Sequence, residues 1–362
     1  MEEVDVAVVG AGVVGLSSAW RLALAGRRAV VFERFPLGHD RGSSHGPTRI
    51  FRFAYDDPVY VRLAQRALPL WRELEHDSGE HLLEITGGFD VGEPSYLERC
   101  EAALRTCGAQ VDLLRPAARR ERFPWFEAED GPALYSPDTG VIAADAAMRA
   151  LTARARNAGA EIMDDAPIES LEIAGDVVRL IAASGEIVAR RCVVAAGAWV
   201  RELLSPAGFN FPVRVTREQV FYFRAASPVV PFIHRGEMAR YCVPAFGGAP
   251  GVKIAEHMTG APTSAEARGF DQDREGAKRV SDYVRATLPS FDPDPVGFES
   301  CLYTTTPDEG FVFDQTGPLV VASACSGHGF KFGPITGEIV ASLCAGADPP
   351  ISLESFSITR FV

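Results

Sequence analysis

The run Gly10-Ala-Gly-Val-Val-Gly15 limits the fold more than any other part of this 362-residue chain. It follows the apolar stretch Val6-Ala-Val-Val9 and leads into a helical pattern that continues over 17–24 until Gly26 stops it. Strand, glycine turn and helix in that order let backbone N–H groups approach a pyrophosphate at a helix N-terminus, so Gly10, Gly12 and Gly15 are candidate dinucleotide contacts. Glu33 ends the next apolar stretch, Ala29-Val-Val-Phe32, where a carboxylate can accept hydrogen bonds from a ribose diol. The opening reads as a βαβ unit, with a fingerprint that NAD and FAD proteins share.

Length and a hydrophobic content of 47% allow a large core and two domains. The net charge of -12, with no long block of Lys or Arg, argues against nucleic acid or an anionic membrane as partner. No stretch approaches the roughly 20 apolar residues of a membrane span, and Met1-Glu-Glu-Val-Asp5 lacks the positive leader of a secretory signal. The seven cysteines are an odd set without a Cys-x-x-Cys pair, so neither a disulfide framework nor a metal site is expected, and a reducing cytoplasm fits best.

Val61, Ala64, Leu68, Trp71 and Leu74 recur at helical spacing and predict a helix over 57–76 with Trp71 in the core. Pro and Gly cluster over 115–140, which reads as irregular connection. A helix is predicted over 145–157, and short strands over 168–200 turn at Ala174-Gly-Asp176 and Ser184-Gly185. That segment ends in Arg191-Cys-Val-Val-Ala-Ala-Gly-Ala-Trp199, where Gly197 suits close passage of backbone beside a nucleotide. Residues 211–258 favour strand, 271–288 a polar helix with a solvated face, and 318–323 a strand followed by a glycine turn and a helix over 335–343. Strand alternation places Lys253, Ala255 and His257 on one face.

Behind the glycine fingerprint come, in order, Gly42-Ser-Ser-His-Gly-Pro-Thr-Arg-Ile-Phe-Arg52, Cys301-Leu-Tyr-Thr-Thr-Thr-Pro-Asp-Glu309 and Gly327-His-Gly-Phe-Lys-Phe332. In this conjunction the chain resembles, over nearly its whole length, the monomeric sarcosine oxidase family, which includes N-methyltryptophan and pipecolate oxidases and lies among the D-amino acid oxidase-like proteins. The resemblance implies an α/β fold: a Rossmann-like FAD-binding domain built from 1–80, 143–212 and 300–362, and a substrate domain on a mixed β-sheet from 81–142 and 213–299. It also implies a monomer.

The resemblance further implies FAD attached through its 8α-methyl group to Cys301, whose thiolate is a competent nucleophile; by residue type alone Cys301 would be a buried inert thiol, as Cys192 and Cys344 are read. Arg34, Ser43, Ser44, Gly327, Gly329, Phe330 and Lys331 fall in segments that line the cofactor in such enzymes. His45 and Arg49 match residues that place positive charge near the flavin, or else form a basic loop on the FAD phosphates. Lys253 matches the cation near flavin N5 that favours reaction with O2, and His257 the active-site histidine near the amine. Arg52 and Lys331 match the pair that grips a substrate carboxylate, a planar fork and a point charge. Tyr241, Tyr303 and Phe232 match cavity-lining positions. The helix after Gly333 would aim its N-terminal dipole at the flavin.

Phe232 where sarcosine oxidases place a methionine, Glu256 for an aromatic residue, Cys325 for a bulky apolar one, Pro47 for an acid and an added Pro250 argue against sarcosine itself. Phe232 and Tyr241 suit a ring or another apolar body. The expected function is oxidation of a secondary or cyclic amino acid, by hydride transfer to flavin N5 and then reduction of O2 to hydrogen peroxide. The substrate would be a small amine bearing a carboxylate. Two other readings are an FAD-dependent dehydrogenase passing electrons to a protein acceptor and a nucleotide-binding module without turnover; Lys253 favours the oxidase.

Overall fold

The computed structural model describes residues 2–128 and 131–361. Five strands, Glu161–Met163, Ala29–Phe32, Glu2–Val9, Gly185–Val194 and Leu319–Ser323, pair in parallel in that spatial order. The hairpin Ile168–Ala174/Val177–Ala182 and the strand Val312–Thr316 add antiparallel neighbours, giving an eight-stranded sheet. Both faces are covered at the middle of this sheet, so Ala29–Phe32 and Leu319–Ser323 are buried throughout, whereas the outer hairpin strand Val177–Ala182 alternates. One face packs on the helices Val13–Leu24, Ala144–Asn157 and Gly333–Ala345 through Val6, Val8, Val31 and Val193, and the other packs on Leu203, Leu204 and Phe211.

The second sheet has nine strands, antiparallel except where Phe232–Arg235 runs parallel to Gly88–Gly92. Its central strands Arg214–Phe223, Val252–Glu256 and Ala239–Val243 alternate strictly between two environments. Phe221, Phe223, Cys242, Val252 and Ile254 pack against Val280, Tyr283 and Val284 of the helix Arg274–Thr287, whereas Val220, Tyr222, Tyr241 and Ala255 cluster on the opposite face. The strand Gly297–Thr305 pairs with Arg214 through Tyr222, so the expected domain boundary at residue 300 falls inside a strand of this sheet. A small third sheet, Thr48–Phe51, Gly140–Ala143 and Leu83–Ile85, holds the segment that carries Arg49.

The helix expected over 57–76 is Pro58–Ser78. Asp57 caps it by accepting the Val59 N–H at 2.8 Å, left-handed Gly79 ends it, and Trp71 is fully buried with its indole N–H on the Lys331 carbonyl. The other four predicted helices are Val13–Leu24, Ala144–Asn157, Arg274–Thr287 and Gly333–Ala345. The stretch 115–140 departs from the expectation of irregular connection. Pro116 opens the helix Pro116–Arg122, where a missing N–H costs nothing, and Ala133–Ser136 joins the nine-stranded sheet.

Candidate active site

One cavity of about 1830 Å³ is lined by both large sheets. Its first group of residues is the glycine turn. Gly10 has φ +102°, and a Cβ there would lie 2.6 Å from the Ala195 carbonyl oxygen, while a Cβ on Gly15 would sit 1.8 Å from that of Gly10. Only glycine lets strand, turn and helix approach so closely. The helix Val13–Leu24 begins at Gly12 with no side chain of its own as cap and no acid in its first turn; the Ser44 hydroxyl accepts the Val13 N–H at 3.1 Å. Its N-terminus is thus left electropositive toward the cavity.

Glu33 is buried and accepts the N–H groups of Ala11 (2.7 Å) and Phe35 (3.1 Å), with His39 Nε2 at 3.3 Å. Burial alone would raise its pKa, but His39 and these N–H groups together lower it, so it stays ionised. A carboxylate has about four acceptor positions, and those left over suit a ribose diol. Arg34 pairs with Glu266 at 2.9 Å, the acid that also accepts the Trp199 indole N–H at 2.7 Å, and Gly197 precedes that tryptophan at φ +52°. Ser43 donates to the Leu302 carbonyl at 2.5 Å and Arg49 to those of Ser43 and Thr48 at 2.9 and 2.8 Å, so the 43–49 loop is tied to itself and to the strand bearing Cys301. His45 Nε2 is buried without a hydrogen-bond partner. Unpaired buried polar atoms are rare, and this one fits a ligand group in the cavity. Glycine cradle, bare helix start, ionised Glu33 and orphaned imidazole together fit FAD.

The cavity face of the nine-stranded sheet supplies the second group. Lys253 is 3% exposed, and its Nζ donates to the Thr48 carbonyl at 2.7 Å; burial, then the charge of Arg49, lowers its pKa to about 7. Cys301 faces Glu218 across the strand pair and lines the cavity. Removal from water raises the pKa of its thiol, while Arg49, Lys253 and Arg268 oppose the rise. His257 Nδ1 lies 3.4 Å from the Tyr303 hydroxyl, and burial, then Arg235, Arg52 and Lys331, lowers the His257 pKa to about 3. The same mechanism, burial first and Arg49 next, lowers His45 to about 3. Tyr241 lies beside Tyr303, and burial raises the pKa of both phenols.

Arg52 and Lys331 are both buried. Arg52 Nη1 contacts Asp90 Oδ2 at 3.0 Å, the Tyr96 hydroxyl at 3.5 Å and the Ala54 carbonyl; Tyr96, Asp90 and Tyr55 outweigh burial and hold it charged. Lys331 Nζ donates to the Tyr55 hydroxyl at 2.9 Å and the His328 carbonyl at 2.7 Å, and burial with the charge of Arg52 pushes its pKa well below the ordinary lysine value. Gly327 and Gly329 pack under the cavity wall: a Cβ on the first would meet the Tyr303 ring at 2.2 Å, and on the second the Ala324 carbonyl at 1.7 Å. Phe330 lies between Trp71, stacked at 6.1 Å, and the Arg49 guanidinium at 5.4 Å. The helix Gly333–Ala345 starts directly after this lining segment.

Phe232 is the correction. It is 1% exposed and packs with Phe89, Phe126 and Cys242 on the far side of the sheet; its neighbour Ile233, opposite Tyr241, lines the cavity instead. Glu256 also points away, held by Arg240 (3.3 Å) and Arg279 (2.9 Å). Asp90, Arg235 and Arg268 were not foreseen. Asp90 carried a signal, a lone acid in the apolar strand Gly88–Gly92. Arg268 carried none, yet its guanidinium donates to the carbonyls of Asp40, Arg41, Gly42 and Ser300, clamping the cofactor loop beside Cys301.

Residues 5–343 match the family described as FAD dependent oxidoreductase. Peroxisomal sarcosine oxidase of Homo sapiens is 33% identical over 376 residues, 99% of this chain and 96% of that protein. N-methyl-L-tryptophan oxidase of Yersinia pestis (strain Pestoides F) is 29% identical over 99% of each chain. The open form of NikD, an unusual amino acid oxidase essential for nikkomycin biosynthesis, superposes with a TM-score of 0.87 at 26% identity, covering 99% of this chain and 98% of NikD. With a dinucleotide cradle on one sheet and a cationic pocket on the other, the chain belongs to the FAD-dependent oxidoreductase family, in the company of amino acid and amine oxidases.

Proposed function

We propose that this protein is an FAD-dependent oxidase of a secondary or cyclic amino acid, acting on a small amine that bears a carboxylate. One observation carries the reading: Arg52, Lys331, His257, Tyr241 and Tyr303 line the same cavity as the glycine cradle and Cys301. Gly10, Gly12, Gly15, Glu33, Ser44 and Gly197 would hold FAD, with Cys301 as the point of covalent attachment. When bound, FAD supplies the two-electron acceptor for the CH–NH bond.

The chain's own residues set the conditions for that chemistry. An ammonium has no lone pair to develop imine character, so the substrate must react as the free amine. His257, kept neutral by burial and by the cations around it, adds no positive charge beside the amine and offers a ring nitrogen as a hydrogen-bond partner that favours the unprotonated form. Arg52 and Lys331 hold the carboxylate and fix the orientation of the reacting carbon. Lys253 offers a positive charge in a site shielded from water, where charge acts most strongly; it supports O2 as acceptor and hydrogen peroxide as product, rather than a protein acceptor.

The division into cofactor and substrate domains and a monomeric state belong to the same reading. Among the described residues no helix is long and apolar enough to cross a membrane, and all seven cysteines are free, which suits the cytoplasm proposed here. The test is anaerobic bleaching of the bound flavin by a panel of N-methyl and cyclic amino acids, followed by peroxide assay on admitting air. Bleaching and stoichiometric peroxide are expected; bleaching that air does not reverse would favour a dehydrogenase, and a panel without any bleaching would remove the reading.

A further inference from the structure

Two guanidinium groups and one acid converge beside Tyr96. Its hydroxyl reaches Arg52 Nη1 at 3.5 Å and Asp90 Oδ2 at 3.4 Å, and the Arg235 guanidinium lies 4.7 Å from its ring centre. Lys331 completes the group: its Nζ and the Arg52 guanidinium both lie over the Tyr55 ring, at 5.5 and 4.5 Å. The single carboxylate, Asp90, is buried and spent on Arg52 at 3.0 Å. Arg235 sits on the cavity face of the strand Phe232–Arg235, two residues from Ile233, and lines the same cavity as Arg52 and Lys331. Among the described residues its side chain has no ion pair or hydrogen bond, and its Nε is buried without a partner.

Charge accounting then separates two ligand classes. Asp90 is hydrogen-bonded to Arg52, a first ligand carboxylate would lie between Arg52 and Lys331, and among the described residues Arg235 keeps open donors with no side chain hydrogen-bonded to it. A planar guanidinium with open donors facing a cavity suits a second carboxylate, which it can bind in a forked pair. A buried or half-buried cation without such a partner costs the free protein stability. On the proposed oxidase reading, we infer that the substrate is an amino dicarboxylate, N-substituted or cyclic, whose second carboxylate binds Arg235.

The test is calorimetric titration of the flavin-loaded protein with non-reacting acids, acetate and propionate against malonate, succinate and glutarate. The best diacid binds at least about tenfold tighter than its monoacid counterpart, as expected for one added forked charge pair. In Arg235→Leu that ratio falls to within about twofold of unity, and in Arg235→Lys it is partly restored. Monoacids and diacids binding equally to the wild type, a comparison that needs no variant, overturn the inference, as does a ratio unchanged in Arg235→Leu. A diacid preference in a protein whose flavin no amine bleaches supports the Arg235 site while removing the oxidase reading. Amines that bleach the flavin without any diacid preference do the reverse.

Discussion

Lys253 donates to the carbonyl oxygen of Thr48 at 2.7 Å, so the cation contributed by the strand Val252–Glu256 is held in place by the strand that carries Arg49. Burial lowers its pKa to about 7, so it is charged below that value and loses its proton as pH rises through it. Stopped-flow reoxidation by O2 should therefore slow as pH rises through about 7. Lys253→Met should lower the rate by about 10²-fold or more and leave it flat with pH. A variant that reoxidises like the wild type would remove Lys253 from this role.

Cys301 is the only cavity residue proposed to bond the cofactor. Wild-type protein precipitated in acid should keep its yellow colour in the pellet, and Cys301→Ser should release it to the supernatant. Flavin that stays with the Cys301→Ser pellet would place the linkage elsewhere.

Asp90 neutralises Arg52 in the buried wall of the cavity. Asp90→Asn leaves that guanidinium without its anion, which should destabilise the ligand-free protein by about 3 kcal/mol. Carboxylate ligands should then raise the melting temperature more in the variant than in the wild type, because they replace the lost charge. Equal shifts would show that Asp90 does not compete with the ligand for Arg52.

His45 and His257 both have folded-state pKa values lowered to about 3. Above the ordinary histidine value near 6.5 both are neutral folded or unfolded and have no effect on the pH dependence. As pH falls from there toward 3 the unfolded chain takes up protons that the folded chain refuses, so stability drops, by up to about 1.4 kcal/mol per pH unit for each group. Denaturant midpoints of the flavin-free protein across this window should fall less steeply in His45→Gln and His257→Gln. An unchanged slope in both variants would mean that neither imidazole is shielded from protonation.

The parts legible in the sequence are those whose cause is local. Periodicity and caps such as Asp57 and Gly79 mark the helix Pro58–Ser78, and the glycine turn announces a backbone that a single Cβ would block. Alternation alone placed Lys253 and His257 on one face, which is the cavity face. The resemblance puts Phe232 on that face one position out of step: the register that sets Ile233 opposite Tyr241 turns Ile233 inward and Phe232 away. Asp90 acquires its role from a partner 38 residues away, and Arg268 from partners 32 and 226 to 228 residues away, across tertiary contacts that no local pattern encodes. Arg235 reads locally as one more polar residue at a strand end, and only its tertiary placement, with Nε unpaired in the cavity wall, sets it apart.

Gly297–Thr305 hydrogen-bonds within the nine-stranded sheet, while the glycine cradle belongs to the other one. A cofactor bonded at Cys301 would therefore act as a staple between two separately wound layers, with its nucleotide half gripped by one and its ring riveted to the other. Heating such a protein should melt both layers in a single transition when the rivet is present, and allow them to part company when it is not.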